Sequence, residues 1–224
     1  ALKDDGSVIT WGRDIKGGDS SKVASQLSDG VINIVSVYDA FAALKDDGSV
    51  VAWGYDSDFN DKGGGDASNV SNYLKDNVAE IFSTDHAFAA LKEDGSVVTW
   101  GTEDSGGDPA RTNYELLNLL SSGVKEIKQS RDSFAALKDD GTAVYWGDAY
   151  GSNEEDNHSI KEIHLNNNEL VYEKTDGSFT WGDGILTNIK ITNTEEVIEI
   201  KDIYPTFSDF NFITTKGLIF NSND

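Results

Sequence analysis

The sequence contains no cysteine and no methionine. Disulfide bonds and thiol catalysis are excluded, and the redox compartment is left open. Long apolar runs are missing too, so no transmembrane helix can form. Basic residues are scarce: 18 Lys and Arg stand against 40 Asp and Glu, a net charge of −22. A surface this acidic repels the phosphates of nucleic acid and the headgroups of anionic membranes. It suits solubility in a salty or cation-rich medium. Catalytic signatures are absent as well: there is no G-x-S-x-G, no H-E-x-x-H and no P-loop. The 3.6-residue periodicity of a helix is confined to Tyr114–Leu120 (YELLNLL).

What the sequence has is repetition. FAALKDDGSVVAWG at 41–54 returns as FAALKEDGSVVTWG at 88–101 and FAALKDDGTAVYWG at 134–147, and the chain opens inside a copy, ALKDDGSVITWG. The glycine of the Asp-Gly pair falls at Gly6, Gly48, Gly95, Gly141 and Gly177, with a weaker copy at Gly217. Upstream of each later copy stand two apolar residues three apart: Val31/Ile34, Val78/Ile81, Val124/Ile127, Ile160/Ile163 and Val197/Ile200. Every part of the unit reads as β. Asp-Gly between apolar runs predicts a hairpin, and the two-residue type I′ turn would need positive φ at both central residues. Ala42, Ala43 and Leu44 are apolar on both strand faces, so both faces must be covered. A unit of about 40 residues that cannot bury both faces alone is expected to stack with its neighbours around an axis, as in a β-propeller. The expectation is one all-β domain of about six units, near 1–30, 31–77, 78–123, 124–159, 160–196 and 197–224. The first hairpin lacks its own V-x-x-I strand, so the chain is expected to be a segment of something longer. An exposed strand edge at Ala1 could then pair with a neighbour.

The V-x-x-I strand, the A-L-K-D-D-G-S-V-x-x-W-G hairpin and the Gly-rich loop after it resemble the RCC1-like repeat, in its short-bladed bacterial form. The likeness is strong around Trp11, Trp53, Trp100 and Trp146, weaker at Trp181 and marginal near Gly217. Two departures stand out. The usual A-G-x-x-H is replaced by segments such as SVYDAFAAL, and the usual G-Q-x-G by Gly17-Gly18-Asp19, Gly64-Gly65-Asp66 and Gly106-Gly107-Asp108. The resemblance implies a propeller that binds other macromolecules. Family members include nucleotide-exchange factors, chromatin binders and secreted inhibitors of bacterial enzymes. The acidity argues against chromatin, and no exchange-factor residue carries over by position.

Positions that recur are framework; positions that vary inside a constant frame are open to binding. The recurring Trp residues are expected in the core between units. The Gly-Gly-Asp loops read as structural turns, with Asp19, Asp66 and Asp108 as calcium candidates that lack the converging oxygen spacing of a known calcium loop. Paired acids such as Asp46/Asp47 recur at every tip, where Asp serves turn geometry rather than catalysis. The single histidines, His86, His158 and His164, show no ligand spacing and read as isolated surface residues. The pair beginning three residues before the recurring Phe varies in chemistry: Tyr38-Asp39, Asp85-His86, Arg131-Asp132 and, before Leu170, Asn167-Asn168. These pairs are expected to gather on one face as a mixed polar and aromatic rim for a protein or glycan partner. The reading is a non-catalytic binding or architectural module without a cofactor, exported or displayed at the cell surface. A secreted enzyme inhibitor is the alternative within binding proteins. A hydrolytic propeller is the alternative outside them; it needs a unique convergent acid pair.

Overall fold

In the computed structural model, the described residues are 1–55, 63–112, 114–148, 159–165, 170–181, 184–186, 189–190, 197–198, 200–205, 210–214 and 219–221. Among them are four three-stranded antiparallel sheets: β1–β3 (Val31–Ser36, Ala40–Lys45, Val50–Gly54), β4–β6 (Val78–Ser83, Ala87–Lys92, Val97–Gly101), β7–β9 (Val124–Gln129, Ser133–Lys138, Ala143–Gly147) and β16–β18 (Ile200–Pro205, Phe210–Thr214, Ile219–Asn221). A four-stranded sheet, β10–β13 (Ile160–Leu165, Leu170–Lys174, Phe179–Trp181, Gly184–Leu186), and a two-stranded one, β14–β15 (Ile189–Lys190, Val197–Ile198), precede the last. Each multi-stranded sheet is a meander of sequential strands. The first strand of each runs beside the first strand of the next: β1 by β4, β4 by β7, β7 by β10 and β10 by β16. This is an all-β array of propeller-type blades with the V-x-x-I strands innermost.

The alternation in A-F-A-A-L-K explains the stacking. Ala40, Ala42 and Leu44 share one cluster with Leu74, Val78, Ile81, Phe88 and Trp100 of the following unit. Phe41 and Ala43 turn the other way, with Trp53, towards Val8, Leu27 and Val31. The pattern repeats one unit on, where Ala87, Ala89 and Leu91 meet Val124, Ile127, Phe134 and Trp146. Alanine at the crossing lets neighbouring sheets approach closely, because successive side chains point to opposite faces. A three-residue apolar spacing looks foreign to a strand, but a bulge between Val78 and Glu80 brings Val78 and Ile81 onto one face. The same bulge occurs after Val31, Val124, Ile160 and Ile200.

That pairing corrects the last signature. The residue paired with the end of the second strand lies 14 positions earlier in every unit, and in the last one it is Ile200, opposite Thr214. Val197 pairs instead with Lys190 in the two-stranded sheet. The apolar pair of the final unit is therefore Ile200/Ile203; both spacings of three fit the sequence, and hairpin register selects between them.

The tips differ from the expected type I′ turn. Gly48 N–H donates to Lys45 O at 3.0 Å and Lys45 N–H to Ser49 O at 2.9 Å, enclosing three residues, Asp46, Asp47 and Gly48. Only Gly48 has positive φ, at 76°, so a type I turn is followed by a glycine bulge. Asp47 Oδ1 accepts from Ser49 N–H at 2.9 Å and Oγ–H at 2.6 Å. These hydrogen bonds, led by the hydroxyl, hold its carboxyl below the usual range. Turn chemistry is only half of the reason the tips repeat. Gly48 O accepts from Val78 N–H at 3.0 Å, and Gly6, Gly95 and Gly141 make the same bond to Val31, Val124 and Ile160. A Cβ on Gly48 would stand 2.7 Å from Asn77 N. Each tip is thus a clasp onto the start of the next unit.

The second clasp is aromatic. Phe41, Phe88 and Phe134 stack on Trp53, Trp100 and Trp146 at 5.0–5.3 Å between centroids. The indole N–H groups donate to Gly17, Gly64 and Gly106 O, each in the Gly-Gly-Asp loop of the preceding unit, at 3.0–3.1 Å. A buried indole N–H needs such a partner. Trp11 departs from the core expectation: it is 72% exposed in this chain. The side chain of Trp181 lies outside the described residues. The helical expectation holds in short form, as α1 (Pro109–Thr112) and α2 (Leu116–Leu119). Leu120 is buried there, as are Leu27 and Leu74 in the corresponding connections.

Trp53→Ala is expected to lower unfolding stability by about 3–5 kcal/mol, and Trp11→Ala to change it by less than about 0.5 kcal/mol, both read from denaturation midpoints. Gly177 has φ 82° and, among the described residues, nothing within 4 Å of an added Cβ, so Gly177→Ala should cost the backbone strain of about 1–2 kcal/mol. Gly48→Ala adds the clash with Asn77 and is expected to cost roughly 1–3 kcal/mol more.

Candidate functional site

In a meander the loop between the first and second strands lies at the end opposite the tips. There the variable pairs are joined along the backbone. Tyr38 N–H donates to Asp85 O, and Asp85 N–H to Arg131 O, each at 2.8 Å across adjacent units. The second member of each pair is anchored to its own outer strand: Asp39, His86 and Asp132 carbonyls accept from Tyr55, Thr102 and Asp148 N–H. With the backbone held, side-chain identity is free to vary.

The side chains form one patch. Tyr38 is 71% exposed. Its ring lies 5.8 Å from that of half-buried His86, and Lys16 Nζ stands 4.7 Å from its centroid, within cation–π reach. Lys16 also pairs with Asp39. Arg131 Nε lies 3.3 Å from Asp85 Oδ2 and 3.6 Å from Asp132 Oδ2, and Ser105 Oγ donates to Asp132 at 3.2 Å. Six of the eight expected residues are thereby brought together; Asn167 and Asn168 lie outside the described residues. Lys16 and Ser105 belong to the patch and escaped the sequence reading. Each immediately precedes the first glycine of its Gly-Gly-Asp loop, where Lys16, Gly63 and Ser105 vary beside constant glycines.

The calcium candidates are turn-formers. Asp19, Asp66 and Asp108 each accept from the backbone N–H two residues on, of Ser21, Ser68 and Ala110, at 2.7–3.0 Å. They belong to successive units, and they do not meet. A groove of about 710 Å³ between the second and third units runs along Val97–Gly101 and against Pro109 and Leu117.

One histidine is not on the surface as expected. His164 keeps 11% of its side chain exposed, and its Nε2 lies 3.8 Å from Glu173 Oε2. Burial is the main cause that pulls its pKa down and favours the neutral ring, against the opposing pull of Glu162 and Glu173. His158 lies outside the described residues.

Bladed sheets, tip clasps and Trp-capping Gly-Gly loops together define a propeller-type all-β fold. Among solved structures the chain is similar to yeast RCC1 (Prp20) bound to Kap60, at 16% identity and TM-score 0.48, over 85% of this chain and 55% of that one. Prp20p from Saccharomyces cerevisiae alone gives 16% and 0.46, over 97% and 65%. Human WBSCR16 gives 15% and 0.45, over 85% and 61%. The chain thus spans little more than half the length of these proteins, and identities this low concern fold alone. No known family profile and no curated protein sequence matches it.

If the Gly-Gly-Asp carboxylates serve only their own turns, calcium should raise the melting temperature no more than magnesium at equal ionic strength. A shift specific to calcium that disappears in Asp66→Ala would reverse that assignment.

Proposed function

We propose that this chain is a non-catalytic binding module whose partner, a protein, docks on the loop patch formed by Tyr38, Asp39, Asp85, His86, Arg131 and Asp132. The observation that carries the reading is the backbone chain from Tyr38 to Asp85 to Arg131, which sets unlike side chains from three units side by side. A row of identical acidic tips offers one chemistry only. The patch offers an exposed phenol, an imidazole, a guanidinium and flanking carboxylates, enough to recognise an asymmetric target. Tyr and Arg are enriched among residues that dominate binding energy. The favoured partner surface carries both charge signs, to meet Arg131 and Asp85 together.

The test starts from a partner captured on the immobilised chain. Tyr38→Ala and Arg131→Ala are each expected to weaken its binding by about 1–2 kcal/mol or more, with melting temperature nearly unchanged. Asp47→Ser, at the opposite end, should leave affinity as it was. Loss at Asp47 with none at Tyr38 or Arg131 would move the site to the tips. A sugar array that captures the chain through Tyr38 would replace the protein by a glycan.

A further inference from the structure

We infer that Glu162, His164 and Glu173 form a binding site for a divalent first-row transition cation, with zinc as the reference ion. One ligand atom from each lies within 4.8 Å of the other two. Glu162 and His164 are two apart on β10 and share a face, and Glu173 on β11 is the cross-strand partner of Glu162. Like charges directly opposite in a sheet are unfavourable, and a cation between them turns that repulsion into attraction. His164 Nε2 is shielded from solvent and has no hydrogen-bond partner among the described residues, a costly arrangement for a buried polar atom.

The repeat makes the departure specific. The positions equivalent to Glu173, paired with the same strand position in the three preceding sheets, are Leu44, Leu91 and Leu137. All three leucines are buried. The positions equivalent to His164 are Val35, Phe82 and Lys128. Only in this unit does the framework leucine become a carboxylate, and the same unit places an imidazole and a second carboxylate beside it. Sequence spacing hides the cluster, because Glu173 is distant along the chain and the bulge after Ile160 resets the register.

The surrounding charges are accounted for. Lys161, the bulge residue, pairs with Glu173 and is 59% exposed, free to swing away when a cation enters. Lys128, on the facing strand β7, is paired with Glu126 at 2.6 Å. One imidazole and two carboxylates are ligand types that zinc takes, three protein ligands at a time in its open sites. Calcium and magnesium prefer all-oxygen shells, so the imidazole discriminates against them.

The experiment is calorimetric titration of zinc into the 224-residue chain, with millimolar magnesium present to occupy scattered surface carboxylates. One saturable site per chain is expected, and cobalt in place of zinc should give the visible absorption of an imidazole-bound ion. Glu173→Leu restores the residue of the other units. It should keep the apo melting temperature at or above that of the parent while weakening zinc binding by at least about 100-fold. Should Glu173→Leu fail to fold, His164→Gln carries the same comparison. Equal zinc affinity in parent and variant, uptake that magnesium abolishes, or no uptake by the parent would each overturn the assignment.

Discussion

The sheets β1–β3, β4–β6 and β7–β9 bury apolar side chains on both faces of their middle strands, and neither face can be covered from within its own unit. Everything else in the architecture follows from that constraint. The second strand sends Ala40, Ala42 and Leu44 forward and Phe41 and Ala43 back, so every unit is half of two cores. Alanine at the crossing keeps the sheets close enough for those half-cores to close. Two polar clasps then secure each of the joints that lead into β1–β3, β4–β6 and β7–β9. The tip glycine carbonyl receives the first amide of the next unit, and the Gly-Gly loop receives the next unit's indole N–H.

The clasps separate two kinds of position. A glycine whose Cβ would meet the neighbouring backbone has no latitude, and neither does a Trp with Phe on its face and a carbonyl at its edge. Tyr38, Asp85 and Arg131 are tied from unit to unit through backbone N–H and C=O groups, which any residue but proline supplies. Framework and variability are therefore consequences of which atoms make the contact. Lys16 and Ser105, beside the constant glycines, obey the same rule. They extend the loop patch with a cation and a hydroxyl facing Asp39 and Asp132.

The repeat, the strand content, the framework role of Trp53, Trp100 and Trp146 and the pairing of variable positions were legible along the chain, because each is a local pattern recurring at nearly constant spacing. Three features were not. Asp-Gly at the tip fits a two-residue and a three-residue loop alike, and the closing pair Lys45–Ser49 decides between them. Val197/Ile200 and Ile200/Ile203 are the same pattern along the chain until Thr214 selects Ile200 as its partner. His164 looked isolated because its neighbours in space are a residue two away and another across a bulged hairpin.

The sequence by itself determined that this is an all-β repeat with two-faced strands, since alternation and Asp-Gly spacing act within a few residues. It also determined which positions could vary, since the copies can be laid over one another. Only the tertiary structure decided which variable residues touch. The bonds from Tyr38 to Asp85 to Arg131 join residues about one unit apart, and the gathering of Glu162, His164 and Glu173 depends on a bulge and a cross-strand register. Contacts of that kind are set by how one sheet seats against the next, and no local pattern encodes that seating.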